Sequence, residues 1–178
     1  MREPEPRPSP SSIELLLDPA AEAAVRAEWE ALAGRGMSSL ARHTSPTNRP
    51  HLTLLARVDL GDLAPDALEP VAPVPLTLGA PVLFGAGDRR VLARSVVATP
   101  ELLALHASAH RAAGAGADAP HTAPGEWTPH VTLARRLRLA DLEAALDLVG
   151  GDIAAEGVGV RRWDPVTATV TMLAELRP

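Results

Sequence analysis

A short motif occurs twice in this chain and limits what the chain can fold into. Residues 50–54 read Pro-His-Leu-Thr-Leu, and residues 129–133 read Pro-His-Val-Thr-Leu. Threonine and valine are enriched in β-strands, in which successive side chains point to opposite faces. We therefore predict two related strands, each presenting an imidazole and a hydroxyl on one face and apolar side chains on the other.

The segments around the two motifs predict a degenerate internal duplication. Asp18-Pro19 and Thr99-Pro100 each combine an N-cap residue with a proline at the first helical position, and Gly34 and Gly114 follow as stop signals. A third helix is predicted over 141–149. Strands are predicted over 12–17, 51–58, 76–84, 89–98, 127–137, 157–163 and 166–176. This alternation predicts an α+β fold that is bilobal and pseudo-duplicated, with antiparallel sheets lining a central cleft and helices packed outside.

The first residues differ in composition from the rest of the chain. Residues 1–12 are rich in proline and serine and carry mixed charges, so we expect a disordered tail instead of a signal peptide or membrane anchor. Residues 13–178 are expected to form a single bilobal domain. No apolar stretch approaches the roughly 20 residues that span a bilayer. We expect a cytoplasmic monomer with no membrane association and no obligatory protein partner.

The composition excludes several kinds of chemistry. The chain has no cysteine, which excludes disulfides, thiolate metal sites and a cysteine nucleophile. Its 17 basic residues are all arginine, and its formal net charge is -5. A long basic stripe that follows a polynucleotide is therefore not expected. A small nucleotide or the end of a strand is the more suitable substrate.

The paired residue types suit phosphodiester chemistry. Cleavage requires a base for the attacking oxygen, an acid for the leaving oxygen, and donors to the non-bridging oxygens. Histidine serves both proton-transfer roles because its unperturbed pKa of about 6.5 lets both forms coexist near neutral pH. We predict His51 and His130 as the catalytic pair and Thr53 and Thr132 as phosphate-binding residues, with no metal and no other cofactor.

The two H-x-T-x motifs resemble those of the 2H phosphoesterase superfamily, and in particular its 2'-5' RNA ligase-like and cyclic phosphodiesterase branch. The resemblance covers roughly residues 13–176. It implies opening of 2',3'-cyclic or related nucleotide phosphates, or reversible formation of 2'-5' linkages in RNA. In that chemistry His51 and His130 would be acid and base, in an order that the sequence leaves open, and Thr53 and Thr132 would bind phosphate.

Two further residues are candidates for contact with substrate. Arg135 ends a Thr-Leu-Ala-Arg run that is similar to one in the RNA ligase-like branch. Because Arg135 lies an odd number of residues after His130, it needs a bulge, a strand end or a loop to reach the same face. Trp127, like Phe84, is a candidate for stacking on a nucleobase.

Several other features have plainer interpretations. His106 and His110 lie four residues apart on a predicted helix, but no third ligand completes a zinc pattern, so we predict structural roles. His43 and His121 lie in predicted loops, are expected to be solvated, and are assigned no role. The alternative function for the whole chain is a nucleotide- or RNA-binding module that keeps the pocket without performing chemistry.

Overall fold

The computed structural model describes residues 9–68 and 72–176. Within these residues the chain forms seven strands and three α-helices, which confirms the predicted α+β class. In chain order they are β1 Ser11–Leu17, α1 Pro19–Gly34, β2 His51–Arg57, β3 Val74–Phe84, β4 Arg89–Val96, α2 Pro100–Ala113, β5 His130–Arg138, α3 Leu142–Leu146, β6 Ile153–Asp164 and β7 Thr169–Glu175.

The strands pair into one continuous antiparallel sheet in the order β1-β2-β5-β4-β3-β6-β7. Since β1 also pairs with β6, six of the strands form a closed circuit of pairings, and β7 lies beside β6. The circuit contains two equivalent halves, β6-β1-β2 and β3-β4-β5, with a helix connecting the last two strands of each. The predicted duplication is therefore visible in the topology, although its two sheets are joined into one.

One face of this sheet is covered by helices and forms the core. Leu52 and Val131, the central apolar residues of the two motifs, are fully buried there, as are Val25 and Leu32 of α1. Burying a side chain of this size contributes about 1.5–3 kcal/mol. Among the described residues no helix has the length and apolar character needed to cross a membrane. The opposite faces of β2 and β5 are left to the polar motif residues.

Some predicted boundaries change in the structure. The predicted tail reached Ser12, but Ser11 and Ser12 belong to β1 and are buried, and the Ser12 hydroxyl donates to Glu14 (2.7 Å). Residues 1–8 lie outside the described residues. The strand predicted over 127–137 begins only at His130, because Pro129 has no N–H to offer a ladder. The final strand begins at Thr169, three residues later than predicted, after a turn.

The segment between α2 and β5 is anchored at several points. Asp118 forms an ion pair with Arg57 (2.6 Å), and the carbonyl oxygen of Thr122 accepts hydrogen bonds from His106 (2.9 Å) and His110 (3.0 Å). These two histidines therefore hold a loop in place, as their predicted structural role requires. Within the described residues no group of three or more potential ligands is arranged to hold a metal ion.

Candidate active site

The two motif strands meet at a single point of register. Leu52 of β2 pairs with Val131 of β5, which puts His51 opposite Thr132 and Thr53 opposite His130 on the face away from the core. Side chains at directly opposed positions have Cβ atoms about 4.5–5.5 Å apart. All four polar side chains are partly exposed, and neither threonine hydroxyl has a hydrogen-bond partner within the described residues. The fold thus gathers the four predicted site residues on one open face.

Both histidines are oriented by the same local hydrogen bond. Nδ1 of His51 donates to the carbonyl oxygen of Arg49, and Nδ1 of His130 donates to that of Thr128, each over 2.7 Å. A carbonyl oxygen can only accept, so each Nδ1 carries the proton and the tautomer is fixed. The Nε2 atom of each ring is consequently the one available for proton transfer.

A buried carboxylate faces the first histidine. Nε2 of His51 lies 3.5 Å from Oε1 of Glu14, whose side chain also accepts from Arg161 (2.8 Å) and from Ser12. Burial alone would raise the pKa of Glu14, but the charges of His51 and Arg161 and the Ser12 hydrogen bond outweigh it and lower that pKa. The carboxylate is therefore charged, and its Oε1 faces Nε2 of His51.

The second histidine has an apolar and cationic environment instead. Its ring centroid lies 4.5 Å from that of Phe84, which in turn lies 5.0 Å from that of His121. Burial lowers the pKa of His130, and the nearby His121 and His51 lower it further, whereas the bond to Thr128 acts in the opposite direction. His130 is thus neutral near neutral pH. His121 is exposed as expected, but its position beside Phe84 gives it an influence that the sequence did not indicate.

Each motif strand contains a bulge directly after its threonine. Leu54 and Leu55 are both buried in β2, and Leu133 and Ala134 are both buried in β5, where the ladder registers shift. The extra residue reverses the alternation of the side chains beyond it. Arg135 therefore faces the same side as the histidine of its strand, which is the condition that its odd spacing from His130 required.

The two halves differ at two equivalent positions. Glu14 pairs in register with Thr53, and the corresponding partner of Thr132 is Ala93. Beyond the bulges, Ala56 occupies in β2 the place that Arg135 occupies in β5. One half therefore supplies the carboxylate and the other half supplies the free guanidinium, so the duplicated scaffold holds an asymmetric site.

A cleft of about 430 Å³ opens on this face. Its lining includes His51, Thr53, Glu14, Arg135, Arg161 and Trp163. His130 and Thr132 do not line this cleft; they lie on the adjoining strand. Trp163 of β6, which the sequence did not single out, is half-buried and is one of these lining residues.

Two tryptophans each donate a hydrogen bond to the backbone of one motif strand. Nε1 of Trp127 donates to the carbonyl oxygen of Thr53, and Nε1 of Trp29 donates to that of Thr132, each over 3.0 Å. The Trp127 ring also stacks on His106, with centroids 4.0 Å apart and planes 15° apart. One face of the predicted stacking residue is therefore already covered, and the structure brings Trp127 to the site as a support for Thr53.

Substitution of Trp127 by phenylalanine is expected to lower the free energy of unfolding by about 1–3 kcal/mol, because the Thr53 carbonyl loses its donor. The matched control is Trp163→Phe, since the Trp163 indole N–H has no hydrogen-bond partner within the described residues. That control is expected to change stability by less than about 0.5 kcal/mol. Urea denaturation of both variants measures the difference, and equal losses would contradict the supporting role of the bond.

Comparison with known proteins gives one family match. A model of the 2'-5' RNA ligase superfamily matches residues 18–177. Among solved structures, the chain is similar to the crystal structure of E. coli LigT complexed with NADP+, with 15% sequence identity, a TM-score of 0.49 and coverage of 94% of each chain. No curated protein matches the sequence.

Proposed function

Since this chain belongs to the 2'-5' RNA ligase superfamily, we propose that it is a metal-independent phosphodiesterase acting on 2',3'-cyclic nucleotides or RNA-end phosphates. Membership confirms the resemblance predicted from the two motifs and supports a phosphoesterase-type function. The observation that carries the finer proposal is the register of Leu52 with Val131, because it assembles both histidines and both threonines on one open face.

The different environments of the two histidines suggest their roles. Neutral His130 accepts the proton of the attacking water at Nε2 as the water oxygen bonds to phosphorus. His51, whose Nε2 faces the carboxylate of Glu14, gives a proton to the ribose oxygen as the phosphorus–oxygen bond breaks. The hydroxyls of Thr53 and Thr132 and the guanidinium of Arg135 bind the non-bridging oxygens.

The same groups serve ligation if a hydroxyl of a second RNA end replaces water as the attacking group. Purified protein should be incubated with 2',3'-cyclic nucleotides, 2'-5'-linked dinucleotides and RNA halves that end in a cyclic phosphate, with and without EDTA. Product from at least one of these substrates in the presence of EDTA is the expected result. Tight binding without any product would support the alternative of a non-catalytic nucleotide- or RNA-binding module.

The pH dependence of kcat/KM is expected to be bell-shaped, with the midpoint of its acidic limb below 6.5, the ordinary pKa of histidine. His130 must be neutral to accept a proton, and its lowered pKa keeps it neutral until the pH falls below that value. Substituting His121 by glutamine removes one cause of the lowering, so the midpoint should move to higher pH.

The control for that shift is His43→Gln, because His43 lines the cleft but does not affect the pKa of His130. Profiles of kcat/KM against pH for the three proteins provide the measurement. A parent midpoint at or above 6.5, or equal shifts in both variants, would exclude His130 as the base in this environment.

A further inference from the structure

A second cleft, of about 330 Å³, has four arginines among its lining residues. They are Arg42, Arg89, Arg136 and Arg138, and all four are exposed. The single carboxylate in the lining, that of Asp141, is already held by Arg138 through two hydrogen bonds of 2.8 Å. Within the described residues, the other three guanidinium groups have no ion-pair partner.

The pairing of β4 with β5 places two of these arginines side by side. Arg89 of β4 and Arg138 of β5 are directly paired across the ladder, and like charges in directly opposed positions destabilise a sheet. The chain as a whole is acidic, with 22 acidic residues against 17 basic residues, yet of the acidic residues that the structure describes only Asp141 lies in this cleft. Such an arrangement favours an anion that comes from outside the protein.

This arginine cleft lies beside the cleft of about 430 Å³ that His51 and Thr53 line, the catalytic cleft of the proposed function. Arg135 lines the catalytic cleft, and the next residue, Arg136, lines the arginine cleft. Likewise, Arg42 lines the arginine cleft and His43 the catalytic one. At two separate places, therefore, consecutive residues line the two clefts, which puts the clefts next to each other.

We propose that the arginine cleft binds the phosphate backbone of a nucleic acid strand whose reactive end occupies the catalytic cleft. This inference rests on the proposed function and names its substrate as an oligonucleotide instead of a free mononucleotide. Guanidinium groups bind phosphate in a planar, two-pronged geometry. No basic stripe is visible in the sequence because the arginines come from three separate segments, and only the pairing of β4 with β5 brings most of them together.

The test compares two substrates that carry the same reactive group. One is a 2',3'-cyclic mononucleotide, and the other is an oligonucleotide of about eight residues whose last nucleotide carries the same 2',3'-cyclic phosphate. In the double variant Arg89→Gln/Arg136→Gln, kcat/KM is expected to fall about tenfold for the oligonucleotide at low salt and to stay unchanged for the mononucleotide. The slope of log kcat/KM against log salt should become shallower by about 0.7 for each phosphate that the variant no longer neutralises. The control is Arg111→Gln, because Arg111 is exposed on α2 and lies outside both clefts. This substitution should leave kcat/KM unchanged for both substrates.

Equal loss on both substrates, or no loss on either, would overturn the inference. If the parent protein turns over neither substrate, the proposed function fails, and anisotropy of a fluorescent oligonucleotide tests the arginine cleft separately. In that case, weaker oligonucleotide binding by the double variant than by Arg111→Gln supports the proposed role of the arginine cleft. Equal binding by the two variants overturns that role. Competition by poly-glutamate as effective as that by unlabelled oligonucleotide would assign the cleft to acidic proteins and overturn the nucleic acid assignment.

Discussion

Replacing either His51 or His130 with alanine is expected to lower kcat/KM for a 2',3'-cyclic nucleotide by about 10²–10⁴-fold. Nδ1 of each ring is held by a backbone carbonyl, which leaves Nε2 for the one proton transfer that the proposed mechanism assigns to each ring. Both side chains are only partly buried, and their removal leaves the core residues Leu52 and Val131 in place. Circular dichroism and thermal unfolding should therefore match those of the parent.

The proposed mechanism has both histidines acting in the same step, so the double variant is expected to be little worse than either single variant. His43→Ala is the matched control, since His43 also lines the catalytic cleft but makes no hydrogen bond of its ring within the described residues. Steady-state kinetics on the parent and the four variants distinguish the outcomes. If both single variants retain more than about a tenth of the parent activity, two-histidine catalysis is excluded.

The parts of the site that the sequence predicted are those that depend on short spacing. Alternation along a strand is sufficient to place His51 with Thr53, and His130 with Thr132, and the repeated motif is sufficient to predict two equivalent strands. The proline-initiated helices were predictable for the same reason, since caps are local. Asp18 indeed accepts hydrogen bonds from two backbone amides of α1, and Thr99 from one of α2.

The remainder depends on pairing between distant segments. Whether Arg135 faced the site was undecided until the bulge at Leu133 was visible, because a bulge reflects how a strand packs on its neighbours and leaves no short-range mark. His121 similarly acquires its place from a loop that Arg57 and Asp118 anchor. The closed circuit of strands also requires β1 to pair with β6, from opposite ends of the chain.

Glu14 is the functional candidate that sequence reasoning missed, although a signal was present. It is the single charged residue in the strand Ser-Ser-Ile-Glu-Leu-Leu-Leu, all of which is buried. An acidic residue in such a strand requires a partner, since an isolated buried charge is costly. The partners, Arg161 and His51, come from β6 and β2, so only the sheet pairing identifies them.

Substitution of Glu14 by glutamine is expected to lower kcat/KM by about 10–100-fold, because it removes the negative charge that faces the proposed acid, His51. At 3.5 Å, the attraction between unit charges is at most about 5 kcal/mol at an effective dielectric constant of about 20. A loss of about 1.4–2.8 kcal/mol of this attraction gives the stated range. Steady-state kinetics of parent and variant measure this loss.

The same substitution leaves Arg161 buried without its countercharge, which is expected to cost up to about 3–5 kcal/mol of stability at neutral pH. In the parent, the lowered pKa of Glu14 means that this stabilisation is present above 4.5 and is lost as the pH falls through the lowered value. Chemical denaturation at pH 7 and at pH 4 measures this effect. The difference in free energy of unfolding between parent and variant should be smaller at pH 4.

Glu14→Gln/Arg161→Met distinguishes the effect on His51 from the effect on folding. The double variant removes both members of the buried pair, so much of the stability should return, while kcat/KM stays low because His51 still lacks its facing carboxylate. Arg161 also lines the cleft, so kcat/KM of Arg161→Met alone is measured beside it. A kcat/KM of the double variant that returns to that of Arg161→Met together with stability would show that Glu14 serves only the fold.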